Sequence, residues 1–458
     1  MRAARLLAIL SLALTASSAA LALDLAEVWR HAALHDPEFE AARAAHEAGI
    51  SRRKQAGALW RPSVQLEAGV ARASSESSAR GAAFSAPGFG STGGVAFDTS
   101  ISNGAGTRAA LTVRQALVSA ERSAQSRQLE IAAESSELEW LDAQQALLLR
   151  SAERYFDVAL ATERLRLIAR QQTAVDQTLV EAQDRFRIGD RPVTDIHEAA
   201  ARSAGLTSRR LAAETELELK RAALFDLTGL QGDDTPPRLP AAPVGEDVGS
   251  LADWLAQVAQ RNPALRVAEA RLRAAEQERR KTGSALSPSL ELVVHIGHER
   301  LSGSGDFGGA SSTSSNRAIG LQLTVPLYSG GWRSARQVET QALTVQAQAD
   351  LERARQHVAL QTRSAWLELA VGGSQESALA AAAVASLARL DATRVGRRAG
   401  DRTTQQLLDA ENDAAAAELG LVEARVHLLT NRLRLYALGG KLDDAHLQRL
   451  DATLRAGQ

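Results

Sequence analysis

The chain has 458 residues, with 53 Lys and Arg against 54 Asp and Glu, a balance that gives no bulk attraction to nucleic acid. It contains no cysteine, which excludes disulfides, thiolate zinc sites and a lipidated N-terminal cysteine. Ala, Leu, Arg, Glu and Gln dominate and aromatics are only 4%, a composition suited to long helices more than to a compact α/β enzyme.

Residues 1–22 read as a signal peptide. Arg2 and Arg5 form a positive start, Leu6 to Leu14 an apolar core, and Ala20-Leu-Ala22 a small-residue cleavage pattern. Its removal leaves 51 basic residues against 54 acidic ones. No later segment offers about 18 uncharged apolar residues, so a membrane crossing would have to be a β-barrel.

From Leu25 to about Leu59 the pattern is helical, broken at Asp36-Pro37. Trp60-Arg-Pro62 opens an alternating run, Val64, Leu66, Ala68 and Val70. Residues 74–107, rich in Ser, Gly and Ala, are expected to be a long loop before a second alternating run from Ala109 to Gln115. Two short strands around that loop predict a barrel hairpin. From Ser123 to Arg187 there is neither Pro nor Gly, enough for a helix on the order of 100 Å. Leu138, Leu141, Gln145, Leu148, Ala152, Tyr155, Ala159 and Thr162 form one coiled-coil seam on it; Leu149, Phe156, Leu160 and Leu167 form a second beside it. Two seams require two helical neighbours. Val193 to Leu227 returns, and Leu227-Thr-Gly229 ends that helix.

Between these long helices lies Arg185-Phe-Arg-Ile-Gly-Asp-Arg-Pro-Val-Thr-Asp-Ile196. Gly189 suits the left-handed residue that ends a helix. Pro192 fits the first turn of the next helix, with Asp190 or Thr194 as its cap. Residues 394–408 repeat the arrangement around Gly400-Asp401. The repeat is global. Pro37 and Pro263 lie 226 residues apart, as do Pro62 and Pro288; Leu111 and Leu321 lie 210 apart, and Gly189 and Gly400 lie 211 apart. The chain thus divides into the signal peptide, a first repeat (23–230), a Pro-rich linker (231–250), a second repeat (251–440) and a tail (441–458). Four strands per chain are fewer than the roughly eight of a closed barrel, so several chains must pool them.

Other signals are weaker. Gly303-Ser-Gly-Asp-Phe-Gly308 fits G-x-G-x-x-G but opens a Ser/Gly loop, so a phosphate would lack its helix N-terminus. His31 and His35 share a helix face without a third ligand, and His295 and His298 point to opposite strand faces. No nucleophile-elbow pattern is present. Trp60, Tyr328 and Trp332 flank strand ends, as interfacial aromatics or as helix-packing residues.

With these motifs in order, the chain resembles the TolC-like outer-membrane efflux and secretion proteins along nearly its whole mature length. The first tip carries the resemblance, as do Gly400-Asp-Arg-Thr-Thr-Gln-Gln-Leu-Leu-Asp-Ala-Glu411 and Val325-Pro-Leu-Tyr-Ser-Gly-Gly331. The resemblance implies an α+β membrane protein: a homotrimer whose twelve-stranded β-barrel continues into a long α-helical barrel in the periplasm. It implies no enzyme and no cofactor. The duct would be the passive exit of a tripartite efflux pump or type I secretion system, working with a periplasmic adaptor and an inner-membrane transporter. Residues 75–105 and 302–316 would be surface loops, and the linker and tail an equatorial belt. Thr194, Asp195, Arg402, Gln406 and Asp409 match periplasmic gate positions; Ile188, Gly189, Asp190, Ala399, Gly400 and Asp401 match adaptor-contacting tips. Gln406 stands where relatives carry an acidic ring residue and Arg397 where an aromatic is usual. Only Asp409 would then supply an acidic ring, with weaker block by multivalent cations. The rivals are a periplasmic adaptor built of long hairpins, which gives no reason for two strand pairs, and an exported hydrolase, for which no catalytic constellation is present.

Overall fold

The computed structural model describes residues 24–88, 90–190, 192–230, 237–240, 248–283, 287–306 and 308–456. The predicted signal peptide, Arg191 of the first tip and most of the 231–250 linker lie outside these. The elements in order are α1 (Leu25–His35), α2 (Pro37–Ala58), β1 (Ser63–Ala86), β2 (Gly90–Val118), α3 (Ala120–Arg187) and α4 (Val193–Thr228). There follow α5 (Leu251–Arg261), α6 (Pro263–Gly283), β3 (Ser289–Gly305), β4 (Gly308–Thr324), α7 (Trp332–Ala399), α8 (Thr404–Leu438) and α9 (Asp444–Ala456). The order helix, helix, strand, strand, long helix, returning helix occurs twice, and α3 and α7 are each 68 residues long. The chain forms two compact units, each assembled from separate stretches: residues 49–134 with 270–348, and the remainder.

The first of these holds the sheet, antiparallel in the order β1-β2-β3-β4. The expected long loops are instead strands. β1 and β2 run to 24 and 29 residues, and their pairing continues from Ser63↔Arg114 to Ala86↔Gly90. Ser, Gly and Ala weaken strand propensity, but a hairpin partner satisfies the backbone of such a segment whatever its side chains. Residues 302–316 likewise fall mostly within β3 and β4, whose turn lies between Gly305 and Gly308. Gly303 and Gly305 of the Gly-rich run make close backbone contact. A Cβ on Gly303 would stand 2.6 Å from Gly104 Cα and 2.7 Å from Ser102 O, so this glycine serves strand packing. Val64, Leu66 and Val70 on β1, and Ile319, Leu321 and Leu323 on β4, are exposed. They form apolar faces at strand spacing. Among the described residues, both edge strands, β1 and β4, are unpaired on their outer sides.

The second unit is helical. Its largest core cluster joins Leu25 and Val28 of α1 to Leu148, Ala152, Tyr155 and Phe156 of α3, Leu217 and Leu224 of α4, Val426, Leu429 and Leu433 of α8, and Leu447, Leu450 and Leu454 of α9. Both predicted seams of α3 contribute, as Leu148, Ala152 and Tyr155 from one and Phe156 from the other. The N-terminus of α1 is closed from far away. Asp24 makes no side-chain cap, and the buried Asp451 of α9 accepts from Leu25 N at 3.0 Å and Ala26 N at 2.9 Å. Arg238 and Arg455 both reach Asp24, and Arg238 N donates to the buried Tyr155 hydroxyl at 2.7 Å.

Candidate functional site: the paired hairpin tips

The two tips end their long helices in the same way. At the first, Gly189 lies at φ 77° while Gly189 N donates to Phe186 O and Asp190 N to Arg185 O, both at 2.9 Å. At the second, Gly400 lies at φ 88° while Gly400 N donates to Arg397 O at 3.1 Å and Asp401 N to Gly396 O at 2.8 Å. Each is a Schellman closure, whose left-handed residue costs glycine least. Ile188 is 78% exposed, and Gly189, Asp190, Ala399, Gly400 and Asp401 are exposed as well.

The helices restart differently. Neither Asp190 nor Thr194 caps α4. Pro192 itself is the N-cap residue, in extended conformation and with no side-chain bond. An X-Pro segment favours that extended geometry, and Asp195 in the first turn supplies the negative charge that suits a helix start. α8 begins with a full capping box: Thr403 Oγ1 accepts from Gln406 N at 3.1 Å, and Gln406 Oε1 accepts from Thr403 N at 3.0 Å. Gln406 therefore has a local role that its spacing in Thr403-Thr-Gln-Gln406 announces.

Two of the predicted gate positions meet partners on the other hairpin of the same chain. Thr404 Oγ1 donates to Asp195 Oδ2 at 2.8 Å, and Arg202 Nη2 donates to Asp409 Oδ1 at 2.8 Å. Both contacts join α4 to α8. Thr404 is 4% exposed, so its hydroxyl is committed to the carboxylate. Thr194 is exposed, and Arg402 makes no ion pair among the described residues, its stem lying against Gly396. Arg397, which stands where an aromatic is usual in relatives, is almost fully buried and pairs with Glu181 of α3 at 3.0 Å. Glu181 also holds Arg185, which reaches Asp190 at 3.6 Å. Apolar contacts back these links: Val175, Leu206 and Leu408 join α3, α4 and α8, and Leu390 with Leu407, Ala410 and Ala414 joins α7 to α8.

Farther along α8 is a buried carboxylate that sequence reasoning did not single out. Glu411 is 7% exposed, its Oε1 lies 3.4 Å from Arg394, and its Oε2 has no hydrogen-bond partner among the described residues. Burial pushes its carboxyl above the ordinary range, and Arg394 and Arg397 draw it part of the way back. Arg202, Thr404, Glu181 and Glu411 escaped notice because only the fold brings them to their partners. A faint signal was available for one of them: Arg202 lies seven residues after Asp195, two turns along the same face.

No helix of the described residues is long and apolar enough to cross a membrane, and they hold no cluster of acidic or His residues fit for a metal. Solved structures similar in fold to this chain include outer-membrane proteins. The CmeC outer membrane channel of Campylobacter jejuni superposes with a TM-score of 0.72 at 15% identity, covering 93% of this chain and 89% of that one. VceC of Vibrio cholerae gives 0.69 at 18% identity, covering 92% and 97%. In sequence, the outer membrane protein TolC of Vibrio cholerae is 25% identical over 449 residues, 97% of each chain. TolC of Escherichia coli is 26% identical over 452 residues, 96% of this chain and 86% of that one. The profile of the outer membrane efflux proteins matches residues 28–230 and 254–441, both repeats almost in full. The chain belongs to the outer membrane efflux protein family.

Proposed function

We propose that three copies of this chain assemble into one outer-membrane exit duct, with twelve strands closing a barrel and the helical hairpins enclosing a periplasmic tunnel. The duct function and outer-membrane location follow from the family, which also places the chain among channels and not catalysts. The observation that carries the trimer is the sheet: four antiparallel strands with β1 and β4 unpaired and apolar on one face. In a bilayer those edges need partners, and β4 of one chain beside β1 of the next supplies them. Three chains give twelve strands, an even antiparallel barrel.

Ile188, Gly189, Asp190, Ala399, Gly400 and Asp401 form the surface for a periplasmic adaptor, which couples the duct to an inner-membrane transporter. Thr194, Asp195, Arg402, Gln406 and Asp409 form the gate. Opening it moves the second hairpin relative to the first, so Asp195–Thr404 and Arg202–Asp409 act as latches. Partly exposed links of this kind are weak, about 0–1 kcal/mol for an ion pair, which suits a gate that a docked partner must release. Arg202 beside Asp409 also offsets the single acidic ring and supports weak block by multivalent cations. PrtF of Dickeya chrysanthemi, a proteases secretion protein, is 26% identical over 319 residues, 68% of each chain. Protein secretion therefore stands beside small-molecule efflux as the traffic of this duct. The purified protein is expected to run as a heat-resistant trimer and to conduct ions in planar bilayers. A stable monomer without conductance would overturn the reading.

A further inference from the structure

The first hairpin is much longer than the second. Pairing of β2 with β3 ends at Ser102↔Ser304, and the second hairpin turns between Gly305 and Gly308. Residues 76–86 of β1 and 90–100 of β2 continue beyond that level, paired only with each other. Eleven residues per strand correspond to roughly 35 Å of ribbon. Both of its outer edges therefore present free backbone N–H and C=O groups.

The ribbon leaves the sheet through bends. β1–β2 pairing shifts register between Ala73 and Ser75, and β2–β3 pairing shifts between Ser102 and Ala105. Asn103 between them has φ 52°, the one non-glycine residue in the left-handed region among those described. These irregularities lie at the level where the second hairpin ends, and bulges there bend and twist a strand. A second pair of shifts lies between Ala79 and Phe84, with Gly81 and Gly94 at φ 79° and 80°. Ser100 Oγ donates to Asp306 Oδ1 at 2.9 Å, fastening the second hairpin's turn to the base of the ribbon.

Free edges usually carry lysines or prolines that discourage pairing. Residues 76–86 and 90–100 contain neither, and their charged side chains are Glu76, Arg80 and Asp98. Around a trimeric barrel, the strands between β2 of one chain and β1 of the next are β3 and β4, and these stop at the ribbon's base. The edge facing β2 of one ribbon is then β1 of the next. The two run in opposite directions, so an antiparallel ladder fits them.

We propose that the ribbons of three copies pair edge to edge above the barrel, β2 of one chain with β1 of the next, as a six-stranded cap over the outlet. The proposal rests on the trimeric reading above. Twelve tilted strands give a backbone diameter of about 24 Å, and six give about 12 Å, which the mostly Ser, Gly and Ala side chains of the ribbon narrow but leave passable to small ions. The cap narrows the outer end independently of the periplasmic tips, and the bulges supply the inward bend.

The cysteine-free sequence makes disulfide trapping a clean test. Glu76→Cys is combined in turn with Ser91→Cys, Thr92→Cys, Val95→Cys and Ala96→Cys, and the series is repeated with Ser78→Cys in place of Glu76→Cys, leaving out Val95→Cys and Ala96→Cys. Within one chain Glu76 lies opposite Ser100 and Ser78 opposite Asp98, so each pair is more than about 12 Å out of register, beyond the reach of a disulfide. A reference series combines Glu67→Cys with cysteine at each of positions 318–323, across the β1–β4 seam of the barrel. On oxidation in outer-membrane preparations, at least one ribbon pair should lose half or more of its monomer band to covalent dimers and trimers that reductant reverses. Seam pairs that cross-link while every ribbon pair stays monomeric would overturn the cap and leave the trimer standing. If neither series cross-links, the trimer fails and the cap with it.

Discussion

Replacing Thr404 by Val isolates one latch of the proposed gate. The substitution keeps the β-branched shape of a residue only 4% exposed and removes the hydroxyl that donates to Asp195 at 2.8 Å. A hydrogen bond to a charged acceptor contributes about 1.5–3 kcal/mol, and water reaching the half-buried Asp195 takes back part of that. About 1.4 kcal/mol per chain is a reasonable net figure, a factor of about ten in an equilibrium. If the three chains of the duct open together, their latches multiply to a shift of about a thousandfold; opening one by one, each shifts about tenfold. Single-channel recording in planar bilayers separates the cases. Thr404→Val should raise open probability by at least tenfold, and Thr404→Ser, which keeps the hydroxyl, should stay near the parent. If Thr404→Val remains within twofold of the parent, Asp195–Thr404 does not hold the gate.

Two further expectations follow from the same geometry. Gly303→Ala drives a methyl into Gly104 Cα and Ser102 O, backbone atoms that cannot rotate away. It should weaken the sheet by about 1–3 kcal/mol, read as a lower melting temperature of the purified protein, whereas Gly309→Ala, with open space around its Cβ, should be neutral. Glu411 sets a pH dependence. Burial raises its carboxyl, so the folded chain binds this proton more tightly than the unfolded chain does. Its favourable contribution is complete below the unfolded carboxylate range and is lost as pH rises through the higher folded value. Glu411→Gln should therefore raise thermal stability at pH 8 and leave it nearly unchanged at pH 4; equal shifts at both would refute the assignment.

The long helices and their turns were legible because local chemistry decides them. The run from Ser123 to Arg187 holds neither Pro nor Gly to interrupt a helix, and Gly189 and Gly400 end their long helices by conformational freedom. Residues 74–107 were misread because Ser, Gly and Ala carry no period-two hydrophobic signal. Their strands are held by backbone pairing, which leaves no mark on side-chain order. The tip residues divide in the same way. Gln406 and Thr403 act within three residues of each other and are readable as a capping box. Arg202 with Asp409, Thr404 with Asp195 and Arg397 with Glu181 meet across 200 residues or so, through helix packing that no local pattern encodes.

The contact between Asp451 and the start of α1 has a consequence for how the polypeptide matures. The first helix receives its terminal hydrogen-bond acceptor from a residue 426 positions later, so it cannot be completed until α9 has been exported. Until α9 arrives, Leu25, Val28 and their neighbours lack the cover of Leu447, Leu450 and Leu454. A chain cut short before residue 444 would carry that uncovered apolar surface permanently, the kind of mark by which chaperones and proteases recognise unfinished proteins. The docking of α9 thus reports that export has proceeded at least as far as residue 456.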